Sequence, residues 1–294
     1  MTSSDGPSHG RLAGLTLLAL VGFACNSLLG RAALRTGAID PVSLTAVRLG
    51  SGALVLALLS RRSPLRQRDG LSALLLLAYA LPFSLAYVEL EAGMGALLLF
   101  GAVQTTMLLW SAVRGERPPP RVWVGAALAF AGLLVLVAPG LSAPPPGASV
   151  LMLSAGVAWG AYTLRGRGRA GPLHATASNF ALASVPALLA AAANHALGAA
   201  HASERGLVLA ALSGALASGV GYSLWYAALP RLTRVSAAVV QLLVPPLAGL
   251  GGVLLLSEAL TFRLVGGGVV TLAGIALATL RRPAAVDGGS ATAR

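Results

Sequence analysis

The residue types that carry chemistry are thinly spread and badly spaced for catalysis. The four histidines, His9, His174, His195 and His201, stand beside or within loops, and none sits inside an apolar run with a carboxylate at helix-ligand spacing. No metal site is therefore expected, and no nucleophile sits with a base. No glycine-rich phosphate loop is present, so nothing points to ATP. Cys25 is the single cysteine, which rules out an intrachain disulfide. What the chain does hold is a scatter of polar and aromatic side chains inside long apolar runs: Asn26, Arg48, Gln104, Trp159, Tyr162, Ser218, Tyr222 and Gln241, with a proline pair at Pro245-Pro246. Each polar group of this kind needs a partner or a wet cavity, because stranding it in hydrocarbon is costly. The chemistry on offer is recognition by hydrogen bonds, one buried cation and ring faces. No cofactor is implied.

Spacing groups these residues. Gln241 lies one turn before Pro245, whose missing N–H frees a carbonyl near Gln241 and Leu242. Gln104, with Thr105 and Thr106, stands at mid-depth of another run. Both glutamines either line a cavity or bond helix to helix. Gly156, Trp159 and Tyr162 share a helical face, as do Gly214, Ser218, Gly221, Tyr222 and Trp225. Small residues followed by aromatics make a pocket with a stacking wall, or a packing seam with an interfacial belt. Asn26 is the leading polar candidate of the first run. Arg48 is the only basic residue well inside a run, roughly 9 Å below its boundary at 1.5 Å per residue. It is expected to find a carboxylate, carbonyls or water, and Glu89 and Glu91 lie at a plausible depth between the third and fourth runs. An Arg48–Glu91 pair would shape an outer vestibule, and that carboxylate could bind a proton or a cationic substrate. The alternative is that Arg48 snorkels to the surface and both glutamates are solvated.

The elements that must position these residues are membrane helices. Ten runs, at 12–30, 42–60, 71–88, 93–113, 122–138, 149–164, 176–198, 207–228, 235–256 and 264–280, approach the roughly 20 residues a bilayer core requires. A mean hydropathy of +0.80 with 10% charged residues excludes an ordinary soluble domain. The net charge of +12 could suggest nucleic acid, but its distribution reads as topology. All 21 basic residues are arginines. With a cytoplasmic N-terminus, sixteen fall on the inner side, and Arg31, Arg35, Arg205 and Arg263 fall outside. Both termini are then cytoplasmic. Residues 12–30 are taken as a retained first helix although Ala24-Cys25 superficially resembles a lipid-attachment site.

The chain also repeats itself. Glu116, Arg121, Gly125 and Ala131-Gly132 return 142 residues later as Glu258, Arg263, Gly267 and Ala273-Gly274, and Ala96 as Ala238. Gly22 and Arg31 return as Gly156 and Arg165 with a shift of 134, which fits an insertion around Asn194–Arg205. The Pro-rich stretch 143–147 divides a first repeat, 12–140, from a second, 148–281, with tails at 1–11 and 282–294. Five spans per half is odd, so the second half enters the membrane inverted. Glu116 and Glu258 then lie on opposite sides, each expected to meet a nearby arginine, Arg121 or Arg263.

These features resemble the drug/metabolite transporter superfamily in its EamA-type branch. The resemblance covers roughly 12–281 and rests on Pro41 and Arg48, on Gly115-Glu116 and on Ala158-Trp159-Gly160-Ala161-Tyr162. It rests also on Pro245 followed by Ser257-Glu258-Ala259-Leu260, and on Gly/Ala-rich fifth and tenth spans. The fourth span departs from the family pattern, since Gln104 stands where the second half has Pro246. The resemblance implies an all-α integral membrane protein of ten transmembrane helices in two inverted five-helix repeats. It implies secondary transport, chiefly export, of a small metabolite or drug by alternating access, amino-acid-like compounds being one class. Spans one, three, four, six, eight and nine would line the cavity, with five and ten as scaffold. The partners would be the lipid bilayer, a small-molecule substrate and a proton or other coupling ion, with no nucleic acid. The alternatives are a non-transporting sensor or scaffold and, further off, an intramembrane enzyme. Exclusive use of arginine and high Gly/Ala content suit a bacterial cytoplasmic membrane. Monomer and homodimer are equally compatible with the sequence.

Overall fold

The computed structural model describes residues 9–60, 69–114, 119–138, 143–166, 171–232 and 240–279. Glu116, Ala238, the arginines at 61, 62, 66, 68, 117, 167, 169, 234, 281, 282 and 294, and much of both tails lie outside the described residues. Among the described residues the chain is helical, with one isolated antiparallel bridge, Ile39 with Ala202. The helices are α1 (His9–Leu34), α2 (Pro41–Ser60), α3 (Gly70–Ala86), α4 (Ala92–Val113), α5 (Pro120–Val137), α6 (Pro146–Gly166) and α7 (Pro172–Ala196). They continue with α8 (Glu204–Leu212), a π-helical stretch Ser213–Val220, α9 (Gly221–Ala228), α10 (Val244–Leu256) and α11 (Phe262–Thr279).

Local chemistry explains the starts and stops. α2, α5, α6 and α7 open on proline, and α10 carries its proline pair in the first turn, where a missing N–H costs no helical bond. Asp69 caps α3 through Ser72 N–H at 3.1 Å, Ser203 caps α8 through Gly206 N–H at 3.1 Å, and Thr261 caps α11 through Leu264 N–H at 3.1 Å. Asp40 accepts from the N–H groups of Val42 and Ser43 at 3.0 and 2.9 Å at the head of α2. α10 ends at Ser257, whose φ of 54° is the left-handed conformation that closes a helix.

Among the described residues, seven helices are long and apolar enough to cross a membrane: Gly10–Leu34, Pro41–Ser60, Ala92–Trp110, Pro120–Val137, Pro146–Gly166, Pro172–Ala196 and the continuous rod Glu204–Arg231. The expected spans 71–88, 235–256 and 264–280 fall on shorter apolar helices, Gly70–Ala86, Val244–Leu256 and Phe262–Ala278. Large apolar side chains such as Leu54, Leu58, Leu189, Leu254 and Phe262 cover the outside, a surface that suits lipid and not water.

Packing pairs α2 with α7, α5 with α11 and α4 with α10. α3 lies on α6, and α1 lies on the α8–α9 rod and on α10. Glycine makes the α5–α11 crossing possible. A Cβ at Gly125 would stand 2.5 Å from the Ala278 nitrogen and the Gly274 oxygen, so only glycine lets these backbones meet.

Two ends of the bundle follow from the loops. Ser203 N–H donates to Ala38 O at 2.7 Å and Asn194 Nδ2 to Asp40 Oδ1 at 3.0 Å, clasping the α1–α2 loop to the α7–α8 loop. The segment 194–205, expected as an insertion, supplies that clasp. The α3–α4, α5–α6 and α10–α11 loops meet around a cavity of about 210 Å³ lined by Glu89, Glu91, Met94, Pro144, Pro145 and Thr261. At the far end Arg165, in the last turn of α6, reaches Asp69 at the head of α3, Nη2 to Oδ1 3.2 Å.

Candidate functional site

The middle of the bundle is an aromatic cluster around one arginine. α2 carries Arg48 two turns past Pro41, 1% exposed. α3 presents Tyr79 and Phe83 one turn apart on the same face, with Tyr87 a turn further. Arg48 Nη2 donates to the Tyr79 hydroxyl at 2.7 Å, and its guanidinium carbon lies 4.6 Å from the Phe83 ring centre and 5.1 Å from that of Tyr79. Asn26 of α1 donates from Nδ2 to the same hydroxyl at 3.1 Å and accepts from Ser213 Oγ at 2.7 Å. Ser213 opens the π-helical stretch, a local rewinding of the helix of the kind found at functional sites.

The second wall is aromatic. Trp159 of α6 stacks on Tyr162, centres 5.2 Å apart at 25°, and lies 4.8 Å from Tyr79 and 5.5 Å from Tyr222 of α9. Tyr222 also meets Phe23 and Phe180. Asn179 of α7 donates to the Tyr162 hydroxyl at 3.2 Å, and Thr176 to that of Tyr226 at 3.0 Å. Arg48 and Asn179 hold equivalent places: each is the eighth residue of a proline-initiated helix, and each donates to a tyrosine of the cluster.

Of the residues singled out in the sequence, the structure brings together Asn26, Arg48, Trp159, Tyr162 and Tyr222. Ser218 is buried within the π-helical stretch, and Gln104 is buried in α4, which packs on α6. Gln241 is half-buried ahead of a turn at Leu242–Leu243, and Pro245 is buried in the first turn of α10. The helix is thus interrupted before the prolines among the described residues.

Both readings of Arg48 need correction. It pairs with neither Glu89 nor Glu91, and it does not snorkel, because Tyr79 and the ring faces of α3 hold it inside. Glu89 is exposed. Glu91 lies beside Glu258 and Arg31; burial first, then the Glu258 charge, pushes its carboxyl up, against Arg31 and the Ala259 N–H. Glu258 does not meet Arg263 either. Its Oε1 lies 3.1 Å from Arg31 Nε and its Oε2 accepts the Ala92 N–H at 2.8 Å, while Arg263 donates to the Val135 and Ala138 carbonyls at the end of α5. Glu258 thereby caps α4 from across the chain.

Sequence reading passed over Tyr79, Phe83, Phe180, Asn179 and Ser213. The 79/83/87 spacing of aromatics was available as a signal. Ser213 had none, since its importance comes from the π turn.

Comparison with known proteins agrees with this architecture. The model of the EamA-like transporter family matches residues 147–280. An uncharacterized protein of Pseudomonas aeruginosa is 54% identical over 267 residues, 90% of this chain and 92% of that protein. An uncharacterized transporter of Archaeoglobus fulgidus is 29% identical over 263 residues, 83% and 89% of the two chains. One crystal structure superposes with a TM-score of 0.64 at 22% identity, covering 91% of this chain and 97% of its own, a likeness of fold. With its bundle of apolar helices and these matches, the chain is a multi-pass membrane protein and belongs to the EamA-like transporter family.

Proposed function

We propose that this protein is a secondary carrier that exports a small metabolite or drug, amino-acid-like compounds included, across the bacterial cytoplasmic membrane. Residues 12–140 and 148–281 form two inverted five-helix halves with ten spans in all and both termini cytoplasmic. The halves rock about a central site, driven by the substrate's own gradient or by a proton or other ion. The supporting observation is that the central cluster is shared: Asn26, Arg48 and Tyr79 come from the first half, and Trp159, Tyr162, Ser213 and Tyr222 from the second.

The pairings of α2 with α7, α4 with α10 and α5 with α11 are those expected of two related halves. Among the described residues an ion pair joins them at each end, Arg31–Glu258 at one and Arg165–Asp69 at the other. A carrier needs such contacts to break alternately. A thermal-shift screen of purified protein against amino acids, nucleosides and cationic drugs, followed by proteoliposome flux of each hit, tests the reading. Flux of a stabilising compound supports it. Stabilisation without flux of any hit makes the protein a sensor or scaffold.

A further inference from the structure

Arg48 is a cation with 1% exposure and no carboxylate partner among the described residues. Of its three nitrogens only Nη2 is matched, by the Tyr79 hydroxyl; Nε and Nη1 have no hydrogen-bond partner. The rings of Phe83 and Tyr79 attract the charge but offer no lone pair to those N–H groups. The Tyr79 hydroxyl accepts from both Arg48 and Asn26, which leaves its own proton without an acceptor among the described residues. One network thus retains three unmatched donor groups and one uncompensated positive charge. Burying such a group is costly unless something acceptor-rich and negative completes it.

An oxyanion is that complement, and a carboxylate fits best: it is planar, accepts only, and carries the single charge that one guanidinium balances. A phosphate dianion would leave a negative charge unmatched. Beyond Tyr79 lie Trp159, 4.8 Å away, and then Tyr222, so a molecule anchored at Arg48 has ring faces for its apolar part.

We infer that Arg48 and Tyr79 hold the carboxylate of the molecule this protein carries, so that its substrates are carboxylic acids with an apolar or aromatic body. The word substrate rests on the carrier reading above; the anion site does not.

The test is binding to the purified full-length protein, read by thermal shift and titration. The probes are 3-phenylpropanoate, L-phenylalanine and L-leucine, each beside its primary amide, with phenethylamine and phenyl phosphate as cationic and dianionic controls. At least one acid should bind at least tenfold more tightly than its amide. Arg48→Gln should abolish that difference, and Arg48→Lys, which keeps the charge, should retain part of it. The inference is overturned if no acid binds, if an amide or the amine equals its acid, if phenyl phosphate outcompetes every acid, or if Arg48→Gln keeps the acid–amide difference. Should Arg48→Gln not fold, the acid–amide comparison on the wild type decides. Proteoliposome flux separates the two readings. Acid bound at Arg48 but never moved sinks the carrier and leaves the site. Flux of the amide or amine, indifferent to Arg48→Gln, sinks the site and leaves the carrier.

Discussion

Arg31 Nε lies 3.1 Å from Glu258 Oε1, an ion pair in which both side chains are largely shielded from solvent, at 14% and 7% exposure. Arg31 also donates to the carbonyls of Tyr87 and Val88 at 3.1 and 2.8 Å, and Glu258 holds the first N–H of α4. One pair therefore ties the end of α1, the α3–α4 loop, the start of α4 and the α10–α11 loop. Removing Glu258 takes the counter-charge from the guanidinium and leaves the helix N–H without its acceptor. Glu258→Ala should cost about 2 kcal/mol, less than a fully isolated buried charge because two carbonyls still serve Arg31. In chemical or thermal unfolding the double variant Arg31→Gln/Glu258→Ala should lose less than the two single losses summed; simple additivity would show that the pair is not coupled.

The two ion pairs give the alternating-access reading a directional test. In a Cys25→Ala background, Glu258→Gln should raise maleimide labelling of a cysteine placed at Leu90, buried at the Glu258 end. Asp69→Asn should raise labelling of a cysteine at Ala73, buried near the opposite end, with impermeant reagent added from each face in turn. Labelling of both sites from one face in either variant would contradict alternating access.

Asp69 carries a second task that separates amide from alanine. It caps α3 through Ser72 as well as meeting Arg165, whose side chain is 39% exposed. Asparagine preserves the cap and gives up an ion pair screened by solvent, so Asp69→Asn should be nearly neutral in stability. Asp69→Ala should cost about 1 kcal/mol. Melting curves of the two variants side by side give the comparison.

The α5–α11 seam predicts intolerance to a single methyl. At Gly125 a Cβ would meet backbone atoms that cannot rotate away, so Gly125→Ala should cost about 1–3 kcal/mol. Gly14 has open space around it, and Gly14→Ala should be neutral or slightly stabilising. Equal melting temperatures for the two variants would show that the helices are not in close contact.

Glu91 predicts a pH dependence of fixed sign. Its folded carboxyl titrates above the ordinary value of 4.5, so the folded state binds more protons than the unfolded one between those two pH values. The wild type should lose stability as pH rises through that window. Glu91→Gln, which cannot ionise, should melt higher than wild type at pH 7, and the gap should close well below pH 4.5. A gap independent of pH would show that Glu91 ionises freely.

Much was legible before any fold was seen, because the solvent dictates it. Hydrocarbon admits only backbones that satisfy themselves, so runs of apolar residues broken by arginine loops had to be membrane helices. Pro41, Pro120, Pro146 and Pro172 mark helix starts for a reason that needs no neighbour. The repeat of small and charged residues was likewise on the surface of the sequence, as were Asn26, Trp159, Tyr162 and Tyr222 as polar and aromatic outliers among aliphatics. Partners were not. Arg48 was recognisable as a buried charge, yet its choice of Tyr79 over Glu91, Glu258's reach across to Arg31, and the π turn that aims Ser213 at Asn26 all depend on how helices far apart in sequence are brought together. Periodicity specifies which face of a helix is polar; only packing decides what that face meets.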